Sequence, residues 1–60
     1  MSAASIKEEI RSLSGIVSEQ ERALRTEKDA HERKQLQKFI ADNERRISGL
    51  RLELRSTYGE

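Results

Sequence analysis

His31 is the only histidine of this 60-residue chain, and its position limits the metal chemistry that the sequence can support. Glu27 lies four residues before His31, so the two side chains would lie on one face of a helix and could share a metal ion. A stable site needs further ligands, and the chain contains no cysteine to supply one. The pair therefore indicates a solvated turn, and we expect neither a metal nor a cofactor.

The serines and carboxylates of the chain lack the sequence context of catalytic residues. No serine lies in the Gly-x-Ser-x-Gly pattern that exposes a nucleophile, and no glycine-rich phosphate-binding pattern occurs. Neighbouring acidic residues such as Glu8 and Glu9 fall on solvent-facing sides of predicted helices, where nothing would activate them as acids or bases. We therefore expect a protein that is not an enzyme.

The composition argues against a compact monomer with a deep core. Hydrophobic residues make up 33% of the chain and charged residues 38%, against about 45–50% and about 25% in ordinary globular domains. The 12 basic and 11 acidic residues nearly cancel, to a net charge of +1, so charge repulsion does not force disorder. Because the chain has no proline and only three glycines, it suits long uninterrupted helices.

Residues 1–5 are mostly small, and we expect them to form a flexible N-terminal leader. They contain no basic segment followed by an apolar segment, so they do not read as a secretory signal. Apolar runs elsewhere are only a few residues long, far below the roughly 20 residues needed to cross a bilayer. We therefore expect a soluble, intracellular (cytoplasmic) protein without a membrane span.

Apolar residues recur with coiled-coil spacing in two separate parts of the chain. Steps of four and three residues alternate from Ile6 to Leu24, and again from Leu36 to Leu54. The two runs do not share one register, and residues 25–35 between them are almost entirely polar. A chain reversal near the middle would pack the runs against each other. The sequence therefore predicts an all-α fold, an antiparallel two-helix coiled-coil hairpin that dimerises into a four-helix bundle.

Two capping boxes indicate where the helices begin. Ser5 followed by Glu8 predicts a first helix that starts at Ile6. Asp29 followed by Glu32 predicts a second helix that starts directly after Asp29.

The expected hairpin domain covers residues 6–60. Helix one should span about residues 6–28, the turn about 29–33 and helix two about 32–57. The contact between the helices, which we call the hairpin seam, is predicted to consist of Ile6, Ile10, Leu13, Val17, Gln20, Leu24, Leu36, Ile40, Asn43, Ile47, Leu50, Leu54 and Tyr58.

Gln20 and Asn43 are the polar positions of the two runs, and they suggest a register. When Ile6 is placed opposite Tyr58, Gln20 falls opposite Asn43. Facing amides can bond to each other, whereas an unpaired buried amide costs about 1–3 kcal/mol. The coincidence of the two amides favours this register.

Two other arrangements remain open. The proposed turn contains no glycine, proline or asparagine, so one long helix in a coiled-coil dimer is an alternative. A helix break at Ser14 and Gly15, with a restart at Ser18, is another. The long helix would lack apolar contacts over residues 25–35, which favours the hairpin.

Apolar residues outside the seam predict what the protein does. Ile16, Ala23 and Phe39 fall together on one side of the seam, and we call them the apolar flank; Leu52 points elsewhere. An isolated hairpin of this length has little core, so two hairpins would cover each other's flank. We expect a homodimer or higher oligomer that acts as an assembly or adaptor protein through protein–protein contacts.

Basic residues support an alternative function, that of a small nucleic-acid-binding regulator. They outnumber acidic residues over residues 22–38 and again over residues 45–55. On a hairpin they would form a basic tip and a basic stripe along helix two. The candidate phosphate contacts are Arg33, Lys34, Lys38, Arg45, Arg46, Arg51 and Arg55.

Overall fold

Two antiparallel helices form the whole fold in the computed structural model, which describes residues 2–60. Helix α1 is Ala3–Thr26 and helix α2 is Ala30–Tyr58. They pack along their lengths into a rod whose Cα atoms extend 42 × 14 × 14 Å. The predicted all-α hairpin is confirmed. The single long helix is wrong, and so is the broken helix, because α1 continues through Ser14 and Gly15.

The start of α1 differs from the prediction. Ser2 is the N-cap, and its hydroxyl oxygen accepts a hydrogen bond from the backbone N–H of Ser5 at 3.1 Å. Ser5, predicted as the cap, therefore lies inside the first turn. Alanine is the strongest helix former, and Ala3 also packs against the core, so the expected leader is helical from Ala3 onward. Met1 lies outside the described residues.

The turn covers residues 27–29 and is shorter than the predicted 29–33. Asp29 caps α2 as predicted, since its carboxylate accepts from the backbone N–H of Glu32 at 3.0 Å. The carboxylate of Glu27 accepts from the N–H of Asp29 at 3.1 Å. These short-range bonds end α1 at Thr26, before its predicted end at residue 28, and hold the reversal in three residues.

Gly59 ends α2 in the left-handed conformation, with φ of 69°. Its N–H donates to the carbonyl of Arg55 at 3.1 Å, and the N–H of Glu60 donates to the carbonyl of Leu54 at 3.3 Å. Glycine adopts this conformation without the steric cost that other residues incur. The helix therefore extends to Tyr58, just past its predicted end.

The core lies entirely along the hairpin seam. Among the described residues, the buried apolar side chains form two clusters: Ile6, Leu50 and Leu54 near the chain termini, and Val17, Ile40 and Ile47 nearer the turn. Half-buried side chains of the seam are Ile10, Leu13, Gln20, Leu24, Leu36 and Asn43. Tyr58 is the exposed member of the predicted seam, at 38% exposure.

The register of the hairpin differs from the prediction by about one helical turn. The predicted register places Ile6 opposite Tyr58, so Ile10, one turn further along α1, would lie opposite Leu54; instead, Ile10 packs against both core clusters. Ile10 therefore lies level with Leu50, between Leu54 and Ile47. The short turn causes this shift, because it brings α2 back alongside α1 after fewer residues than expected. Ile6 accordingly packs in the cluster of Leu54 rather than at the level of Tyr58.

The predicted meeting of Gln20 and Asn43 is confirmed in this shifted register. The side-chain N–H of Asn43 donates to the side-chain oxygen of Gln20 at 3.2 Å. Both side chains are half-buried, and the glutamine is long enough to reach its partner diagonally across the seam. Among the described residues no buried side-chain nitrogen or oxygen lacks a partner, so the polar layer is satisfied.

Replacing both amides with leucine should stabilise the hairpin. Gln20→Leu together with Asn43→Leu should raise the free energy of unfolding by about 1–2 kcal/mol, because two leucines bury apolar area where two amides exchanged bonds with water. Each single change should raise the free energy of unfolding by less than half of the amount that the double change does, since the remaining amide loses its partner. Urea melts of the wild type and the three variants measure the coupling. Additive stabilisation by the single changes would contradict an interaction between the amides.

Candidate interaction surface

An ion pair joins the two helices on one side of the hairpin. The guanidinium of Arg46 donates to one carboxylate oxygen of Glu9, from Nε at 3.1 Å and from Nη2 at 2.9 Å. Arg46 directly precedes the seam residue Ile47, and Glu9 directly precedes the seam residue Ile10. Both residues therefore lie on the same side of the seam, which is the side of the apolar flank.

The apolar flank is exposed, and its two large members belong to different helices. Residues seven apart occupy the same face of a coiled-coil helix, so Ile16 follows Glu9 and Phe39 precedes Arg46 on this side. Ile16 of α1 and Phe39 of α2 therefore lie on the same side of the seam. Ile16 is 47% exposed and Phe39 is 48% exposed. Two large apolar side chains from separate helices are thus exposed on one side of the hairpin.

Ala23 and Leu52 lie apart from this pair. Ala23 is exposed one further heptad toward the turn, on the same side of α1 as Ile16. Leu52 is 61% exposed and lies five residues beyond the seam residue Ile47, on the outer face of α2. Leu52 therefore does not extend the apolar flank, and it serves as a control position for it.

Arg33 has a structural role that the sequence analysis missed. Its Nη1 donates to two backbone carbonyls, that of Leu24 at 2.7 Å and that of Glu27 at 2.9 Å. These carbonyls belong to the end of α1, where carbonyl groups lack helical partners and favour a positive charge. Arg33 is half-buried and is thus a cap for α1 rather than an open phosphate contact. The spacing of Arg33 could have indicated that it faces α1, because Arg33 lies three residues before Leu36 and thus continues the seam.

The remaining candidate phosphate contacts do not form one patch. Arg46 is paired with Glu9, and Arg45 lies 3.5 Å from the carboxylate of Asp42 on its own helix. Arg51 directly follows a seam residue, whereas Arg46 directly precedes one, so the two lie on opposite sides of the seam. None of the ion pairs in the described part of the chain involves Lys34, Lys38, Arg51 or Arg55.

Two shallow grooves lie on the surface of the hairpin. One is lined by Ser14, Val17, Glu44, Ile47, Ser48 and Arg51, on the side of the seam away from the apolar flank. The other is lined by His31, Lys34, Gln35 and Lys38 near the turn. The ring of His31 lies 3.3 Å from the side-chain nitrogen of Gln35. Over residues 2–60, no group of three metal-ligating side chains comes together.

Neither described helix has an apolar stretch that is long enough to cross a bilayer. Comparison with known proteins gives no match, because no family model, no curated protein sequence and no solved structure is significantly similar to this chain.

Proposed function

We propose that this protein is a small non-enzymatic assembly or adaptor protein that acts through coiled-coil contacts, with itself and with a protein partner. The observation that carries the proposal is the exposure of Ile16 and Phe39, two large apolar side chains that are each about half exposed on one side of the hairpin. An exposed apolar surface with polar residues around it is typical of a protein interaction site.

The small size of the core supports self-association. The buried core consists of Ile6, Val17, Ile40, Ile47, Leu50 and Leu54, which form a single thin row between two helices. A domain of about 60 residues buries only about 60% of the surface that its unfolded chain exposes, and such domains are only marginally stable. Covering the apolar flank adds buried area without adding residues to be ordered, so association stabilises the hairpin.

The nucleic-acid alternative receives less support from the charges. Arg33 is engaged with backbone carbonyls, and Arg45 and Arg46 each have a carboxylate partner. A groove or stripe that binds phosphates needs several unpaired cations on one surface. Binding to an oligonucleotide that weakens steeply as salt rises would nevertheless favour this alternative over the proposed function.

A charge placed in the apolar flank should dissociate the assembly. Phe39→Asp should weaken self-association at least tenfold, because the carboxylate would lose its hydration in the contact. Light scattering over a concentration series gives the mass, and thermal melts at the same concentrations report the coupled loss of stability. Leu52→Asp is the matched control, since it makes the same change on the outer face of the same helix. Equal effects of the two substitutions, or a wild type that stays monomeric, would contradict the proposal.

A further inference from the structure

We infer that the apolar flank packs against the apolar flank of a second copy of this chain, with the two hairpins antiparallel about a two-fold axis beside Phe39. The inference rests on the proposed function, and it adds the identity of the partner and its orientation. It depends on two opposite charges that lie on either side of Phe39 along α2.

Glu32 and Arg46 lie at equal distances before and after Phe39. Each is seven residues away, so all three side chains lie on the same side of the seam. At 1.5 Å per residue, each charge lies about 10 Å along the helix from Phe39. A two-fold axis beside Phe39 and across the helix reverses the direction of the second hairpin. Arg46 of one copy then meets Glu32 of the other, and the contact occurs twice.

The parallel alternative leaves the charges less well matched. A two-fold axis along the hairpin would bring equal levels of the two copies together. Both Glu32 carboxylates would then gather at the same end, about 20 Å along α2 from either Arg46. Glu32 takes part in none of the ion pairs found within residues 2–60, whereas Arg46 already binds Glu9. The antiparallel arrangement gives each Glu32 a cation and is therefore electrostatically favoured.

The charge pattern is also self-complementary, which favours a second copy over an unrelated protein. One end of the flank carries the guanidinium of Arg46, which binds Glu9 through Nε and Nη2 and has its Nη1 outside those bonds. The other end carries the carboxylate of Glu32, and Phe39 lies between them. A two-fold contact joins a surface to an inverted copy of itself, so it requires opposite properties at equal distances from the axis. This flank meets the requirement with its own residues.

Two charge reversals test the arrangement. Glu32→Arg alone places two cations together across each contact, and Arg46→Glu alone places two anions together. Each variant alone should form a dimer at least tenfold weaker than the wild type. An equimolar mixture should recover dimers, because the Arg46 that remains in the first variant meets the Glu32 that remains in the second, and the two new residues also pair. Circular dichroism checks the helix content of each variant, and light scattering gives the masses.

Arg45→Glu is the matched control, because it reverses the neighbouring charge on the outer face of α2 and should leave the dimer unchanged. A dimeric wild type whose single variants both dimerise normally would overturn the inference, and so would a mixture that recovers no dimer. In both cases the proposed self-association would stand, with another surface or orientation. A monomeric wild type would overturn the inference and the proposed self-association together.

Discussion

Leu50→Ala is expected to lower the free energy of unfolding by about 2–5 kcal/mol, the range measured for truncating a buried leucine. Leu50 is 3% exposed and lies in the cluster with Ile6 and Leu54, where Ile10 also packs. Removing its side chain leaves a gap that two straight helices cannot close by a small shift. Because a hairpin with such a thin core is only marginally stable, the loss should leave much of the protein unfolded at room temperature.

Leu52→Ala is the matched control for this prediction. Leu52 is the same residue type on the same helix, but it is 61% exposed. Its truncation should change the free energy of unfolding by less than about 0.5 kcal/mol, as is usual at exposed positions. Thermal and urea melts followed by helical circular dichroism measure both variants. Similar losses at the two leucines would mean that α2 is rotated relative to the register described above.

Arg33→Met is expected to lower the free energy of unfolding by about 2 kcal/mol. Methionine keeps the apolar length of the side chain, but it removes the donor that binds the carbonyls of Leu24 and Glu27. A bond to a charged group contributes about 1.5–3 kcal/mol, and here it also neutralises the negative end of α1. The loss should therefore appear as fraying of α1 near the turn, measurable by amide hydrogen exchange of residues 23–27.

Lys34→Met separates this capping role from a general effect of charge. Lys34 neighbours Arg33 and is exposed, so its loss should alter the free energy of unfolding by less than about 0.5 kcal/mol. Arg33→Lys should lower the free energy of unfolding by an amount between those of Arg33→Met and Lys34→Met, because an ammonium group keeps the charge but not the forked geometry of the guanidinium. If Arg33→Met and Lys34→Met frayed α1 equally, the capping role of Arg33 would be refuted.

The sequence by itself determined which residues build the core. Apolar side chains that recur every three or four residues must lie on one face of a helix, and two such faces joined by a polar segment bury each other most simply as a hairpin. The six residues that are buried within the described part of the chain all belong to the predicted seam for this reason. The same periodicity placed Ile16 and Phe39 beside the seam, where both are exposed. The dimer contact proposed for them follows from that position together with the charges around it.

The sequence pattern did not decide where the helices begin and end, because more than one residue could cap each end. Ser2 and Ser5 are both good caps, and the helix began at the earlier one because Ala3 forms helix readily and packs on the core. At the turn, Glu27 and Asp29 bind backbone N–H groups over two or three residues. Sequence patterns contain each of these options, but the packing of the whole hairpin selects among them.

The register was decided by the tertiary structure alone. Moving one helix along the other by a turn again places apolar residues opposite apolar residues, so the spacing of the seam permits more than one register. Gln20 and Asn43 did not resolve the choice, because the long glutamine side chain reaches the asparagine in the shifted register as well. The three-residue turn and the bonds of Arg33 to the end of α1 fix the register. With the register they determine which side chains of the two helices come within reach of each other, such as those of Glu9 and Arg46.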